Sequence, residues 1–274
     1  MAIALTVVIA LGIAVVAWLA RPDDTGASAL DRMAARGTIV IGVFADQPGI
    51  GVQDGVSENW SGFDVEIARL VAAKLGYGED KVMYVPVDEY DRDEYLTSRA
   101  VDMVVAAYPI TEENRREVSF AGPYLTSGPG LLVRAGESIG ATSMRGHKVC
   151  AAKYSTSAEE LLNSGLVEQS DVETGLLGEN CVDWLLNHRV DAIYSDEIAL
   201  TGFAAERPDL LDLNPVSTTS VEYGIALAHD DKPLRDRVND ILKAALNDGT
   251  WRAIYDRTLG RSGVDPGVPT VRPN

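Results

Sequence analysis

From residue 38 onward, short apolar runs rich in β-branched residues alternate with segments whose apolar side chains recur at helical spacing. The runs at 38–43, 81–87 and 101–107 read as strands, and 63–75 and 93–98 as the helices that punctuate them. Within 63–75, Ile67, Leu70, Val71 and Leu75 share one face; Asp64, Glu66 and Arg69 are expected to point outward, and Gly76 supplies a stop. Strands alternating with helices imply an α/β fold built on an open, largely parallel sheet.

The pattern recurs from residue 147. A strand at 147–152 is followed by a helix opened by a capping box of Ser157 and Glu160, a helix at 182–187 and a strand at 189–194. The stretches LTSRAVDMVV at 96–105 and RVDAIY at 189–194 both place an arginine before Val-Asp and an apolar strand. Two similar units in tandem imply two lobes with a cleft between them, and ligands of such sheets sit at the carboxyl ends of the strands. The last quarter adds a strand at 222–228 and a helix with Leu234, Val238, Ile241, Leu242 and Ala245 on one face, ended by Gly249. A short helix at 251–259 and a Gly- and Pro-rich tail from 261, expected to be flexible, complete the chain.

At 274 residues there is room for one large domain or two small ones. The 24 basic and 41 acidic residues leave a net charge of −17, which argues against a nucleic-acid partner. An arginine set in a cleft of so acidic a chain is expected to serve a specific anion. Residues 2–20 carry no charge and lie at the lower edge of bilayer-spanning length. No basic stretch precedes them, and Arg21 on the far side would by the positive-inside rule argue for the reverse orientation. Their apolarity on every face and the polar linker that follows still read 1–21 as an apolar signal or membrane anchor and 22–29 as a linker. That places the remainder outside the cytoplasm. In such a chain Cys150 and Cys181 are expected to pair, two buried thiols being the alternative. A bridge across that interval would stabilise by roughly 3–4 kcal/mol. His147, His188 and His229 are scattered, and neither a metal nor a cofactor is expected.

Five stretches carry a resemblance to a known family: WSGFDVEIA at 60–68, VDMVV at 101–105, IT at 110–111 followed by VSFAGPY at 118–124, VDAIYSD at 190–196, and DGTWRAIY at 248–255. In this order, across roughly residues 30–260, they resemble the polar amino-acid (glutamate, glutamine and aspartate type) solute-binding proteins of ABC importers, bacterial solute-binding protein family 3. The resemblance implies a two-lobed, periplasmic-binding-protein-like (type II) clamshell. Lobe 1 would comprise 30–123 plus 224–260 and lobe 2 128–221, joined by crossings near 124–127 and 221–223 and closing on a small-molecule ligand. It further implies a cysteine pair like that of the glutamate-type members, an ABC permease as partner, and no catalysis. The alternative is a membrane-tethered ligand-sensing domain. An enzyme would need an acid or base poised in the cleft, and no Ser/His/Asp or Cys/His arrangement is evident.

The resemblance also implies site residues. Asp196, ending a lobe-2 strand, would bind the ligand's ammonium, with Asp46 as a second candidate; capping the next helix is the alternative role of Asp196. Arg92 matches an arginine set against a side-chain carboxylate, which its planar fork suits, although an exposed, ion-paired loop is the alternative for the acidic run 88–94. Ser155 and Thr156 would offer hydroxyls and helix N–H groups to an anion. Trp60 and Tyr108 would wall the pocket. Three positions after Thr111, where relatives carry an arginine for the α-carboxylate, stands Asn114; Pro109 lacks an N–H, and Tyr154 replaces a common glycine. Either Arg115 or Lys153 takes over that carboxylate, or the ligand is not an ordinary α-amino acid.

Overall fold

The computed structural model describes residues 28–152, 156–216, 220–229 and 231–272. The apolar segment 1–21 therefore lies outside the described residues; among those described, no helix is long and apolar enough to cross a membrane. Helix α1 (Ala29–Arg36) is opened by a Ser28–Asp31 capping box and closed by left-handed Gly37. After β1 (Ile39–Val43), a small antiparallel sheet forms from β2 (Asp46–Gln47), β3 (Gly51–Gln53) and β4 (Trp60–Ser61). Helix α2 (Phe63–Lys74) stops where expected. Gly76 takes φ +97°, its N–H reaches the Ala73 carbonyl, and that of Tyr77 reaches Ala72. Then come β5 (Val82–Pro86), α3 (Arg92–Thr97), β6 (Met103–Pro109), α4 (Asn114–Glu117) and β7 (Ser119–Ser127).

Strand β7 leaves the first lobe and, past Gly128, continues as β8 (Pro129–Arg134) of the second. That lobe adds β9 (Val149–Ala152), α5 (Thr156–Ser164), β10 (Val172–Gly175), α6 (Val182–Leu186), β11 (Ala192–Asp196), α7 (Glu197–Glu206) and β12 (Leu211–Pro215). The chain returns through β13 (Val221–Leu227) to α8 (Lys232–Asn247) and α9 (Thr250–Thr258). Ser157 lies inside α5 rather than ahead of it, so it is not the N-cap expected from the sequence.

Two five-stranded sheets result, ordered β5-β1-β6-β13-β7 and β10-β9-β11-β8-β12. They share one layout. Three strands are parallel, and the two added beyond them join through antiparallel pairings. Between the lobes β7 and β13 pair side by side, Ser127 with Val221 and Leu125 with Tyr223, which makes the hinge a two-stranded ribbon. The first lobe's core is aromatic: Phe63 meets Tyr124, Trp251 and Tyr255 at ring-centroid distances of 6.1, 6.1 and 5.8 Å. Smaller apolar clusters serve the second lobe. One of them contains the disulfide Cys150–Cys181, which ties β9 to the start of α6 with the Cα atoms 5.6 Å apart.

The repeated Val-Asp is a docking device rather than the start of a strand. Arg99 and His188 take φ of +59° and +58° at equivalent turns, and Val101 and Val190 are buried after them. Asp102 then exchanges hydrogen bonds with the Val40 backbone, and Asp191 with that of Lys148. The strands expected at 101–107 and 189–194 consequently begin later, at Met103 and Ala192. The tail also departs from expectation. Val271 is 8% exposed against the first lobe's core, the Arg272 N–H donates to the Gly122 carbonyl at 3.1 Å, and its guanidinium pairs with Glu222 at 2.7 Å. An apolar anchor and two polar contacts hold a segment that its composition alone would leave mobile.

Candidate functional site

Strands β1 and β6 are parallel neighbours, so their carboxyl ends lie on one edge of the first sheet. The second lobe approaches that edge. A Cβ on Gly202 of α7 would come within 1.6 Å of the Pro48 carbonyl oxygen, in the turn after β2, so the two backbones are in direct contact.

Arg92 opens α3 and is only 8% exposed. Its Nη1 donates to the Ala106 carbonyl at 3.0 Å, and the guanidinium carbon lies 3.7 Å from the centroid of the Tyr108 ring. Its Nε is buried without a partner, and among the described residues no carboxylate pairs with this side chain. The run 88–94 is thus not an exposed, ion-paired loop at this position. A guanidinium has five N–H donors, and leaving a buried charge unpaired is costly. Arg92 thus keeps donor capacity that the described residues do not use, within reach of the Asp64 charge but not bonded to it.

Tyr108 does not form a pocket wall. It is 1% exposed, meets Phe120 edge-on at 5.1 Å, and donates its hydroxyl to Asp93 Oδ1 at 2.7 Å. Burial first, and then the Asp93 acceptor, hold the phenol well above its ordinary pKa. The ring therefore lies beneath Arg92 as a platform.

Asp64, expected on the outer face of α2, is fully buried instead. Its carboxylate accepts the Ala107 N–H at 2.6 Å and the Tyr124 hydroxyl at 2.8 Å. Burial raises its pKa to about 7, against the opposing pull of those two bonds and of the Arg92 charge. Ala107 sits at φ +38°, a left-handed conformation that a non-glycine residue adopts only when its surroundings impose it, and the Asp64 bond is part of that imposition. Sequence reading missed this hub because a charged residue on a first helical turn is normally solvated; the available signal was Phe63 beside it in an otherwise apolar run.

The turn after β6 satisfies itself. Asn114 Nδ2 donates to the Pro109 carbonyl at 2.9 Å, and the Asn114 N–H donates to Thr111 Oγ1 at 3.0 Å. Thr111 and Arg115 are exposed. Asp46 is exposed on β2; Trp60, on β4 at the other side of the small sheet, packs its ring 5.6 Å from Tyr84. Asp196 ends β11 half-buried and makes no side-chain cap to α7, so the capping alternative is not realised. Burial, followed by the Asp196 charge, keeps the hinge phenol of Tyr223 well above its ordinary pKa. Lys153, Tyr154 and Ser155 lie outside the described residues, and Thr156 is the first residue of α5. The structure therefore brings Arg92 and Tyr108 together, and Thr111 with Asn114, while Trp60 has its ring contact with Tyr84.

Residues 39–261 match the family described as bacterial extracellular solute-binding proteins, family 3. The ABC transporter glutamine-binding protein GlnH of Bacillus subtilis (strain 168) is 31% identical over 226 residues, 81% of this chain and 81% of its own length. The glutamate-binding protein GluB of Corynebacterium efficiens is 27% identical over 264 residues, covering 90% and 88%. Among solved structures, the L-cysteine solute receptor of Neisseria gonorrhoeae superposes with a TM-score of 0.71 at 25% identity, over 90% of this chain and 100% of that one.

Proposed function

The chain belongs to the bacterial extracellular solute-binding proteins, family 3, and from that premise we propose that it captures a carboxylate-bearing amino acid for an ABC importer. Relatives bearing the names of glutamine- and glutamate-binding proteins support the ligand class and the partner. Export or anchoring through 1–21 belongs to the same reading. So does a division into lobes at 30–123 plus 224–260 and 128–221, about the ribbon of β7 and β13.

The observation that carries the reading is Arg92, a guanidinium with one backbone acceptor, an aromatic platform and no carboxylate among the described residues. A ligand carboxylate supplies the missing anion in paired hydrogen bonds. Asp196, at the end of β11, takes the ammonium from the second lobe. Thr156, at the start of α5, and its neighbours Ser155 and Lys153 take the second carboxylate, because the Asn114 amide is committed to Pro109. Trapping follows from lobe closure, since only the closed form contacts the ligand from both sides.

The test is thermal unfolding of the protein with glutamate, aspartate, glutamine, cystine and arginine, for wild type and Arg92→Gln. A ligand at a hundredfold excess over Kd stabilises by about 2.7 kcal/mol. The expected outcome is a rise in Tm with an acidic amino acid that Arg92→Gln abolishes. A shift that survives Arg92→Gln undiminished removes the assignment.

A further inference from the structure

We infer that Tyr108 and Asp93 are positioning residues that set the discrimination of this site between a carboxylate and a carboxamide. The inference rests on the reading of Arg92 as the carboxylate partner. Three observations carry it. The Tyr108 ring lies under the guanidinium at 3.7 Å, close enough for a cation over an aromatic face to be held in place. The ring cannot tilt freely, because its hydroxyl is tied to Asp93 Oδ1 at 2.7 Å and its edge is packed by Phe120 at 5.1 Å. Asp93 is itself the residue next to Arg92 on α3, so platform and guanidinium are referenced to the same helical turn.

The consequence is geometric. With Nη1 on the Ala106 carbonyl and the guanidinium carbon 3.7 Å from the centre of the Tyr108 ring, the guanidinium and its remaining N–H fork are held before any ligand arrives. A carboxylate, with two equivalent acceptors, uses such a fork fully. A carboxamide offers one acceptor and opposes the fork with an N–H group of its own. Loosening the fork therefore costs the carboxylate ligand more than the amide ligand, whereas general loosening of the lobe weakens both alike. Asp93 also accepts the hydrogen bond of the phenol hydroxyl, so the ring stays electron-rich on the face it offers to the cation.

The experiment titrates L-glutamate and L-glutamine into wild type, Tyr108→Leu, Tyr108→Phe, Asp93→Ala and Arg92→Gln by calorimetry, with Tm recorded for each. The expected result for Tyr108→Leu is a glutamate-to-glutamine affinity ratio lower by about tenfold, the size of one cation–ring contact. Tyr108→Phe and Asp93→Ala keep the ring but cut the tether, and should lower the ratio by about threefold. In proton NMR, the Arg92 Hε of ligand-free wild type should lie upfield from ring shielding, remain so in Tyr108→Phe, and return to its ordinary position in Tyr108→Leu. Equal loss of affinity for both ligands in the Tyr108 variants, or an unshielded Hε in wild type, overturns the inference while leaving the function intact. A ratio unmoved by Arg92→Gln, or a wild type that binds neither amino acid, overturns the functional reading and this inference with it.

Discussion

Asp64 shows what a single residue can carry in this molecule. It is buried, bonded to the hinge-strand Tyr124 hydroxyl and to the Ala107 N–H, and its pKa stands near 7 because burial outweighs those bonds. Between the ordinary carboxylate value of 3.8 and about 7, the folded chain holds a proton that the unfolded chain has released. Raising the pH through that window therefore lowers stability, the reverse of the usual paired aspartate. Asp102 and Glu197 are also raised by burial, and they contribute the same slope to wild type and variant alike. We expect the Tm of Asp64→Asn, followed from pH 4.5 to 8, to gain on wild type as the pH rises. Parallel curves would show that Asp64 does not titrate in this range. Arg92 belongs to the same scale: its type and position in the sequence suggested an anion partner, but only its 8% exposure turned that suggestion into an argument.

At the level of elements, most segments are where their patterns put them. Helix α8 buries Leu234, Val238, Ile241, Leu242 and Ala245, the face its 3.6-residue spacing announces. Trp251 of α9 is fixed by donating Nε1 to the Tyr124 carbonyl at 2.7 Å, which joins the last helix to the hinge strand. The tail at 264–272 is the element that composition misread. It lies along the first lobe, with Val271 in the core, the Tyr255 hydroxyl on the Val264 carbonyl at 3.1 Å, and the Arg252–Asp265 pair at 3.0 Å. Deleting residues 264–274 should cost about 2–3 kcal/mol, from one lost apolar anchor and two backbone-directed bonds. Arg272→Ala should be nearly silent, because its guanidinium pair with Glu222 is exposed and screened. Urea unfolding of both variants checks the contrast; an unfolding midpoint of the deletion equal to that of wild type would mean the tail rests on the lobe without supporting it.

For the whole molecule, the decisive contact is the one without side chains. Pro48 and Gly49 of the first lobe lie against Gly202 of the second so closely that a single added methyl would collide with a backbone oxygen. Since backbone cannot swing away as a flexible side chain would, Gly202→Ala has to push the lobes apart or bend α7. The prediction is an affinity for the solute lower by roughly tenfold and a larger radius of gyration in the ligand-bound state by small-angle scattering. Unchanged affinity would show that this approach is not part of the ligand-holding arrangement. The disulfide acts at this scale too, closing 31 residues of the second lobe, whose apolar clusters are smaller than the first lobe's core.

The order of strands and helices, the two-lobed plan, the cysteine pair and the candidacy of Arg92 and Asp196 were legible in the sequence. They depend on local periodicity, residue chemistry and motif order, which survive without knowledge of neighbours. The burial of Asp64, the platform role of Tyr108, the self-satisfied turn at Asn114 and the docked tail were decided only by tertiary structure. Each depends on a partner distant in the chain or on the local backbone path: Ala107 and Tyr124 for Asp64, Arg92 for Tyr108, the Pro109 carbonyl for Asn114, Gly122 for Arg272. Whether a polar group is solvated or buried is set by what folds against it, and that is written in no single segment.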